Sequence, residues 1–473
     1  MLLRSLCFSS RVFLDLFLSI NHISHERGMV MNNQTADDLI FAYPNGELLA
    51  EGKTKRVFAV KGRPGLGVLA AKDDITAGDG AKHDILSGKA ALATRTTSNV
   101  FRLLSACGLP VAYILQRDPT SFVAHLCDML PYEVVVRREA HGSFLKRHPH
   151  ISKGHLFPRL VVEFYLKTNG KRWGECALPC DDPLMIYDPN ADEPRICLYD
   201  PAKPIHGAKP FLVLSDAEVF TVDNEAALFD KMARIARQAF LVLEKAWQLE
   251  GRTLVDFKVE FGLTSGGALL LADVIDNDSW RVLDNGAYID KQAYRDGGAL
   301  DDVLAKYRLV AELTDRFHLP RQRIILWRGS ESDDVEVFHR ACEALGALLP
   351  QNFVMPIVTC SAHKEPERAL ATLRRMLQEV PSSVVIAYVG MSNAAGPLLS
   401  AASVAPVITV PATVGSFSED VWSSLRMPSG VPVSTVLSPG NALLAALQIL
   451  ATRNPFFYSL LAGKLEDRLE GAH

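Results

Sequence analysis

The residue types best suited to phosphate and metal chemistry lie on one stretch, Leu254 to Arg281, which reads LVDFKVEFGLTSGGALLLADVIDNDSWR. Asp256, Lys258 and Glu260 share one face by the two-residue period of a strand, and Asp273, Asp276 and Asp278 crowd the exit of the second apolar run. Hard oxygen ligands converging on a rigid hairpin suit Mg²⁺, and Mg²⁺ usually brings a polyphosphate. A solvated strand face of alternating charge is the competing reading. The acids sit beside apolar residues and Trp280 rather than in a polar run, which favours the metal. Two basic turns complement them. In Gly52-Lys53-Thr54-Lys55, two lysines on a glycine turn can hold phosphate oxygens by charge and by backbone N–H, although the Gly-x4-Gly-Lys spacing of a Walker loop is absent. Around Gly142, the residues Arg137, Arg138, Ser143, Lys146 and Arg147 concentrate positive charge and a hydroxyl, a combination suited to a sugar phosphate or a carboxylate; a solvated basic loop would look similar.

A second group lies near the C-terminus. Gly329-Ser330-Glu331-Ser332-Asp333, Ser361-Ala362-His363-Lys364 and Gly390-Met391-Ser392-Asn393 each follow an apolar strand-length run and precede a helical pattern. Alternating strand and helix units with near-continuous apolar strands predict a doubly wound, three-layer parallel sheet of Rossmann-like type. Ligands in such sheets sit at the carboxyl ends of the strands, where these three turns would meet. A serine turn at a helix start is usually only an N-cap; a His-Lys pair among three such turns argues for a site.

The elements that must position the first group are of a different kind. LVDFKVEF and ALLLADVI, separated by Thr264-Ser265-Gly266-Gly267, predict a β-hairpin. Strand-like runs VAYILQ, SFVAHL and YEVVVRREA precede the Gly142 turn, and Gly88–Cys107 and Leu228–Leu249 carry helical apolar spacing. Residues 168–210, rich in Pro, Gly and Asp, read as a long surface insertion, either a lid over the site or a loop with no part in it. A helix over 299–317 ends at His318-Leu319-Pro320, where the domain boundary is placed. The expected plan is an extension over 1–40, an α+β domain over 41–298, a helical linker over 299–321 and an α/β domain over 322–473.

Bulk properties narrow the class. A chain of 473 residues exceeds what one core usually supports, so two domains are expected. With 22% charged residues and a net charge of −4, nothing favours nucleic acid or an anionic membrane as a partner. Eight dispersed cysteines predict reduced thiols in the cytoplasm; Cys176, Cys180 and Cys197 form the one cluster, and a zinc site there would want a fourth ligand such as His206. The apolar run at the N-terminus is cut by Asp15 and too short to span a membrane.

EGKTKRVF, DDITAGDGAK, VVVRREAHGSFLKR, LVDFKVEFG and LADVIDNDSWR occur in this order between residues 47 and 296, and GSESDD, TCSAHKEPERAL, GMSNAAGPLLSA and DVWSSLRMPSGVPVSTVLSP follow between 322 and 450. On these motifs the chain resembles the animal-type bifunctional family of purine synthesis that joins SAICAR synthetase to AIR carboxylase. The resemblance implies an ATP-grasp-type α+β fold for the first part. It implies ligation of L-aspartate to the carboxylate of CAIR with ATP and Mg²⁺, through an acyl phosphate. Lys53 and Lys55 would hold ATP phosphates, Glu260 and Asp273 would ligate Mg²⁺, and Lys258 would neutralise the transferring phosphoryl group. Arg137, Ser143 and Arg281 match positions that bind CAIR, with Asp256 and Asp278 as supports. For the second part it implies carboxylation of AIR with CO₂ itself, without ATP, metal or biotin. His363 would move the ring-carbon proton, Lys364 marks the class that uses CO₂ directly, and Ser330, Asp333, Ser361 and Ser392 would contact substrate. A homo-oligomer through the C-terminal domain is also implied. Four positions depart from the pattern: Met391 stands where the family has an arginine, Arg328 where it has a small or apolar residue, and Ala394 and Ala395 where it has a more glycine-containing sequence. Either Arg328 substitutes for the lost arginine in space, or the C-terminal domain is a non-catalytic oligomerisation module.

Overall fold

The computed structural model describes residues 35–77, 82–168, 170–189, 191, 193–222, 225–344 and 355–470. The apolar stretch up to residue 34 and the glycine turn at 78–80 lie outside the described residues. The N-terminal half is built on two antiparallel sheets. The smaller has five strands, in the spatial order Asn45–Glu51, Lys55–Val60, Leu66–Ala71, Ser121–His125 and Tyr113–Asp118. The larger has nine. Its spatial order runs Leu212–Ser215, Arg195–Tyr199, Leu184–Asp188, Leu156–Leu166, Asp128–Glu139, Thr253–Leu263, Trp280–Asp284 and Ala287–Tyr288, with Leu269–Ala272 also paired to Thr253–Leu263.

The expected hairpin is present. Its strands pair from Glu260↔Ala272 to Leu263↔Leu269, and the turn closes where Gly267, at φ 78°, donates to the Thr264 carbonyl. Strand alternation then separates two jobs. Phe257, Val259 and Phe261 enter the hydrophobic core, while Asp256, Lys258 and Glu260 stand on the opposite face. The core side is closed by the helix Ala226–Leu249, whose Phe229, Met232, Ala236, Phe240, Leu243 and Trp247 recur at helical spacing and are buried. Phe240 meets Phe257 edge to face at 5.5 Å, and burying each such ring contributes on the order of 2–3 kcal/mol. This anchored layer makes the polar face rigid.

The stretch 168–210 is not the irregular loop its composition predicts. Leu184–Asp188 and Arg195–Tyr199 form a hairpin that extends the large sheet, with Met185, Ile196 and Leu198 inside the core. Each strand is only five residues long and bounded by Pro, Gly and Asp, so turn signals mask the alternation. The helix expected over 299–317 spans Leu300–Thr314 and lies along Lys89–Ala106, tied by Asn99 Nδ2 to Thr314 Oγ1 at 3.2 Å.

The C-terminal half carries one parallel sheet, ordered Ile357–Thr359, Arg323–Arg328, Ser383–Val389, Val407–Pro411 and Ser434–Thr435. The first strand of this sheet in chain order, Arg323–Arg328, therefore lies between the second and third, and the order reverses there. Both faces are buried. Ile324, Leu326, Val384, Ile386, Ile408 and Val410 face one cluster; Ile325, Trp327, Val385, Ala387, Val389 and Val407 face another. The first of these clusters continues into the N-terminal half, through Phe456, Phe457 and Leu443 to Leu241 and Trp247. Among the described residues no helix is long and apolar enough to cross a membrane.

Candidate functional site

The carboxyl end of the strand Asp128–Glu139, the hairpin strand and Trp280–Asp284 run side by side, and their register sets Arg137, Asp256 and Arg281 in one row. Asp256 Oδ2 accepts from Arg137 Nη1 and from Arg281 Nη1, each at 2.6 Å, in a position only 3% exposed. Glu163 accepts from Arg137 Nε at 2.7 Å and also pairs with Arg147. Burial would raise the Glu163 carboxyl, but Arg137 and Arg147 hold it below its ordinary range. Arginines locked by carboxylates present fixed N–H groups to an anion. Gly142 brings the next segment close. Its φ of 58° and ψ of −130° suit glycine alone, and a Cβ there would lie 2.3 Å from the Arg281 guanidinium. Ser143 opens the short helix Ser143–Arg147, with its Oγ 3.5 Å from Arg137 Nη2. Arg137, Ser143, Asp256, Lys258, Asp278 and Arg281 all line one cavity of about 270 Å³.

The basic cluster expected around Gly142 is only partly a cluster. Strand alternation sends Arg138 to the far face of the sheet, where it pairs with Glu244 and Glu466. Arg147 is fully buried on Glu163, and Lys146 is exposed. Only Arg137 and Ser143 of the five line the cavity.

One strand turn further along lies a second cavity of about 290 Å³, lined among others by Lys53, Lys55, Lys258, Glu260, Asp273 and Asp278. It lies between the sheets, since Lys53 and Lys55 come from the first hairpin of the small sheet. Lys55 is in direct contact with Asp273, and Lys167 Nζ reaches Glu260 Oε2 at 2.7 Å. Burial pushes the Lys55 ammonium down to about 8, against the pull of Glu260. Burial acts the same way on Lys258, but Glu133 and Glu260 beside it outweigh this and hold it above the usual lysine range. Asp273 itself sits at φ 63°, a left-handed conformation that lets the chain turn its carboxylate back beside the strand end. Glu260 and Asp273 are close in space, because Glu260 pairs with Ala272. Among the described residues no group of three or more His, Cys, Asp or Glu side chains forms a metal cage. Two carboxylates suit a cation that completes its shell with phosphate oxygens and water.

The two cavities share Lys258, Asp278, Ser279 and Arg295. Asp278 accepts from Lys291 Nζ at 2.9 Å and from the Tyr307 hydroxyl; burial alone would raise it, but Lys89 and Lys291 hold it low. Its neighbour Asp276 is pushed up to about 6 by burial and by the Asp278 charge. The sequence reading missed Arg295, Lys291, Glu133 and Lys167. Lys291 and Arg295 are spaced i, i+4, a signal that a four-residue helix, Gln292–Arg295, is too short to announce.

In the C-terminal half, the three turns leave neighbouring parallel strands at their carboxyl ends, as expected. His363 Nε2 lies 3.4 Å from Ser392 Oγ, so two of the turns meet. Asp333 Oδ2 accepts from the Gly329 and Ser330 amides at 3.1 and 2.9 Å, and Ser361 Oγ accepts from the Lys364 amide at 3.4 Å. Ser330, Asp333 and Ser361 thus shape their own turns. Arg328 does not reach toward Met391. Its guanidinium donates to Thr359 Oγ1 at 2.8 Å and to the Glu331 backbone at 3.2 Å, closing the first turn. Met391 is 73% exposed at φ 63°.

Comparison with known proteins accounts for both halves. Residues 48–172 and 212–312 match the SAICAR synthetase family, and residues 323–468 match the AIR carboxylase family. The unmatched gap between the first two segments coincides with the added edge strands. A probable multifunctional protein ADE2 of Caenorhabditis elegans is 37% identical over 436 residues, covering 90% of this chain and 95% of its own. The bifunctional phosphoribosylaminoimidazole carboxylase/phosphoribosylaminoimidazole succinocarboxamide synthetases of Drosophila melanogaster and Homo sapiens are 36% and 34% identical, covering 90% and 89% of this chain and 93% of their own. With likeness of that extent across both halves and the segment between them, the chain belongs to the family of bifunctional enzymes that join an AIR carboxylase to a SAICAR synthetase.

Proposed function

We propose that the N-terminal half ligates L-aspartate to the carboxylate of CAIR at the expense of ATP, giving SAICAR, ADP and phosphate, and that the C-terminal half makes CAIR from AIR and CO₂. The observation that carries the first part is the pair of adjoining cavities meeting at Lys258 and Asp278, one walled by locked arginines and the other by lysines and acids. A carboxylate is a poor acyl donor because its leaving group would be oxide. Phosphorylation by ATP supplies a leaving group, and the aspartate amine then displaces phosphate to form the amide. Arg137, Ser143 and Arg281 hold CAIR, with Asp256 orienting both guanidiniums and Asp278 fixing Lys291. Lys53 and Lys55 take the ATP phosphates, and Lys258, at the shared wall, compensates charge on the phosphoryl group as it passes between substrates. Glu260 and Asp273 would hold Mg²⁺; when bound, the ion supplies charge neutralisation to the triphosphate. Lys55 and Lys167, which pair with these acids here, are then free for phosphate oxygens.

In the second half, CO₂ adds to the ring carbon of AIR and the proton at that carbon leaves. An imidazole near neutral pH suits that transfer, so His363 carries it, with Ser392 beside it and Lys364, Ser330, Asp333 and Ser361 lining the approach. Exposed Phe417, Trp422, Leu425 and Leu437 support assembly of several copies through this half, and unpaired thiols support a cytoplasmic home.

The test is the coupled conversion of AIR, bicarbonate, aspartate and ATP to SAICAR by the purified chain. Product from added CAIR but none from AIR would leave the ligase and remove the carboxylase. No product from CAIR would remove the ligase, and CO₂-dependent consumption of AIR would then judge the carboxylase alone.

A further inference from the structure

The register of the two strands behind Arg137 breaks beside it. Arg137 pairs with Val161 but Glu139 pairs with Leu156, so the second strand bulges outward over 157–160. A bulge leaves ladder groups without strand partners, and here one of them, the Leu160 amide, is satisfied from the other half of the chain. Glu466, on the C-terminal helix Pro455–Glu470, accepts from the Leu160 amide through Oε2 at 2.7 Å and from Arg138 Nη1 through Oε1 at 3.1 Å. Arg138 also donates to the Phe157 carbonyl at 3.4 Å and forks onto Glu244, which in turn accepts from the Tyr458 hydroxyl of the same C-terminal helix at 2.9 Å. Glu466 is 4% exposed. A buried carboxylate thus spans the bulge, with one oxygen on the backbone of the outer strand and one on the residue next to Arg137.

We propose that Glu466 is a positioning residue for the anion-binding cavity of the N-terminal half, so that the C-terminal half completes a site to which it contributes no lining residue. The proposal rests on the reading that Arg137 and Ser143 bind CAIR. The physical link is short. Arg138 and Arg137 are consecutive on one strand, the bulge fixes where that strand ends, and Gly142 and Ser143 follow directly.

The test uses the full chain with Glu466→Ala and Glu466→Gln, following hydrogen exchange of peptides covering 133–146 and 156–163 together with steady-state kinetics of both reactions. In Glu466→Ala, exchange in both peptides rises tenfold or more and KM for CAIR rises about tenfold, while KM for ATP and the rate of AIR carboxylation stay within twofold. Glu466→Gln keeps an oxygen for the Leu160 amide but loses the charge on Arg138, and changes KM for CAIR a few-fold. Should the alanine variant not fold, Glu466→Gln and Arg138→Lys carry the comparison, each with the same few-fold selective rise. If KM for CAIR moves no further than KM for ATP in every folded variant, the proposal is overturned and Glu466 only holds the fold. If the wild-type chain makes no amide from CAIR, the substrate reading falls. The positioning claim is then judged by exchange in 133–146 alone, and unchanged exchange there overturns it.

Discussion

Replacing Asp256 by Asn separates orientation of the arginines from their presence. The side chain is nearly isosteric and keeps one acceptor oxygen, but it loses the charge that now receives both Arg137 and Arg281 at 2.6 Å. The arginines stay charged, so each bond falls from the upper to the lower part of the roughly 1.5–3 kcal/mol range for hydrogen bonds to charged groups, and roughly 1 kcal/mol is lost at each arginine. Together that is about 2 kcal/mol, or roughly a 30-fold rise in the constant that measures anion binding. Arg137 keeps Glu163 at 2.7 Å, which limits the effect; Arg281 becomes the more mobile of the two. Because Asp256 acts through groups that bind substrate in ground and transition states alike, the change should appear in KM for CAIR with kcat altered little. SAICAR formation at varied CAIR, with aspartate and ATP saturating, measures it, and a melting curve checks the fold. A KM within threefold of wild type in a protein of unchanged melting temperature would refute the orienting role, as would a collapse of kcat at constant KM.

Other outcomes follow from the same geometry. His363→Asn should lower AIR carboxylation by about 10² to 10⁴-fold while ligation of added CAIR continues unchanged, and parallel assays of the two reactions decide it. Gly142→Ala forces an L-residue to φ 58° and pushes on the Arg281 guanidinium; a cost of about 1–3 kcal/mol in stability and a raised KM for CAIR are expected, read by melting and kinetics. Asp290 is 1% exposed, accepts from the Val282 and Gln292 amides, and is pushed from 3.8 up to about 6 by burial. Its folded form therefore holds the proton more tightly than the unfolded chain, and stability falls as pH rises from 3.8 through 6. Relative to Asp290→Asn, wild type should lose on the order of 3 kcal/mol between pH 4 and pH 7 in denaturant titrations. A difference that stays flat over that range would contradict the burial argument.

Much of this arrangement is legible in the chain because strand periodicity is strict. Asp256, Lys258 and Glu260 had to share a face, and apolar Phe257, Val259 and Phe261 had to share the other. The parallel sheet is equally plain, since its strands are apolar on both faces. What escaped has three physical causes. Glu133 and Glu163 lie on strands, and Lys167 just past the end of one, whose partners are far away in sequence, so nothing local indicates that they join the site. Strand alternation also hid itself in charged runs: Arg137 and Arg138 are adjacent letters with opposite destinations. The edge strands within 168–210 failed for a third reason, their turn residues outnumbering their alternating ones.

The unbroken apolar cluster from Trp247 to Phe457 has a consequence for how the two activities are lost. Stability of a folded chain is only about 5–15 kcal/mol, and a cluster shared by both halves makes it a property of the whole. A substitution such as Leu443→Ala, remote from either catalytic turn, therefore lowers the abundance of ligase and carboxylase together. Variants that impair one reaction alone will be confined to the residues that touch its substrates and the few that hold those residues in place. Plotted against each other for many random variants, the two activities should fall along a diagonal, with the few outliers marking the sites.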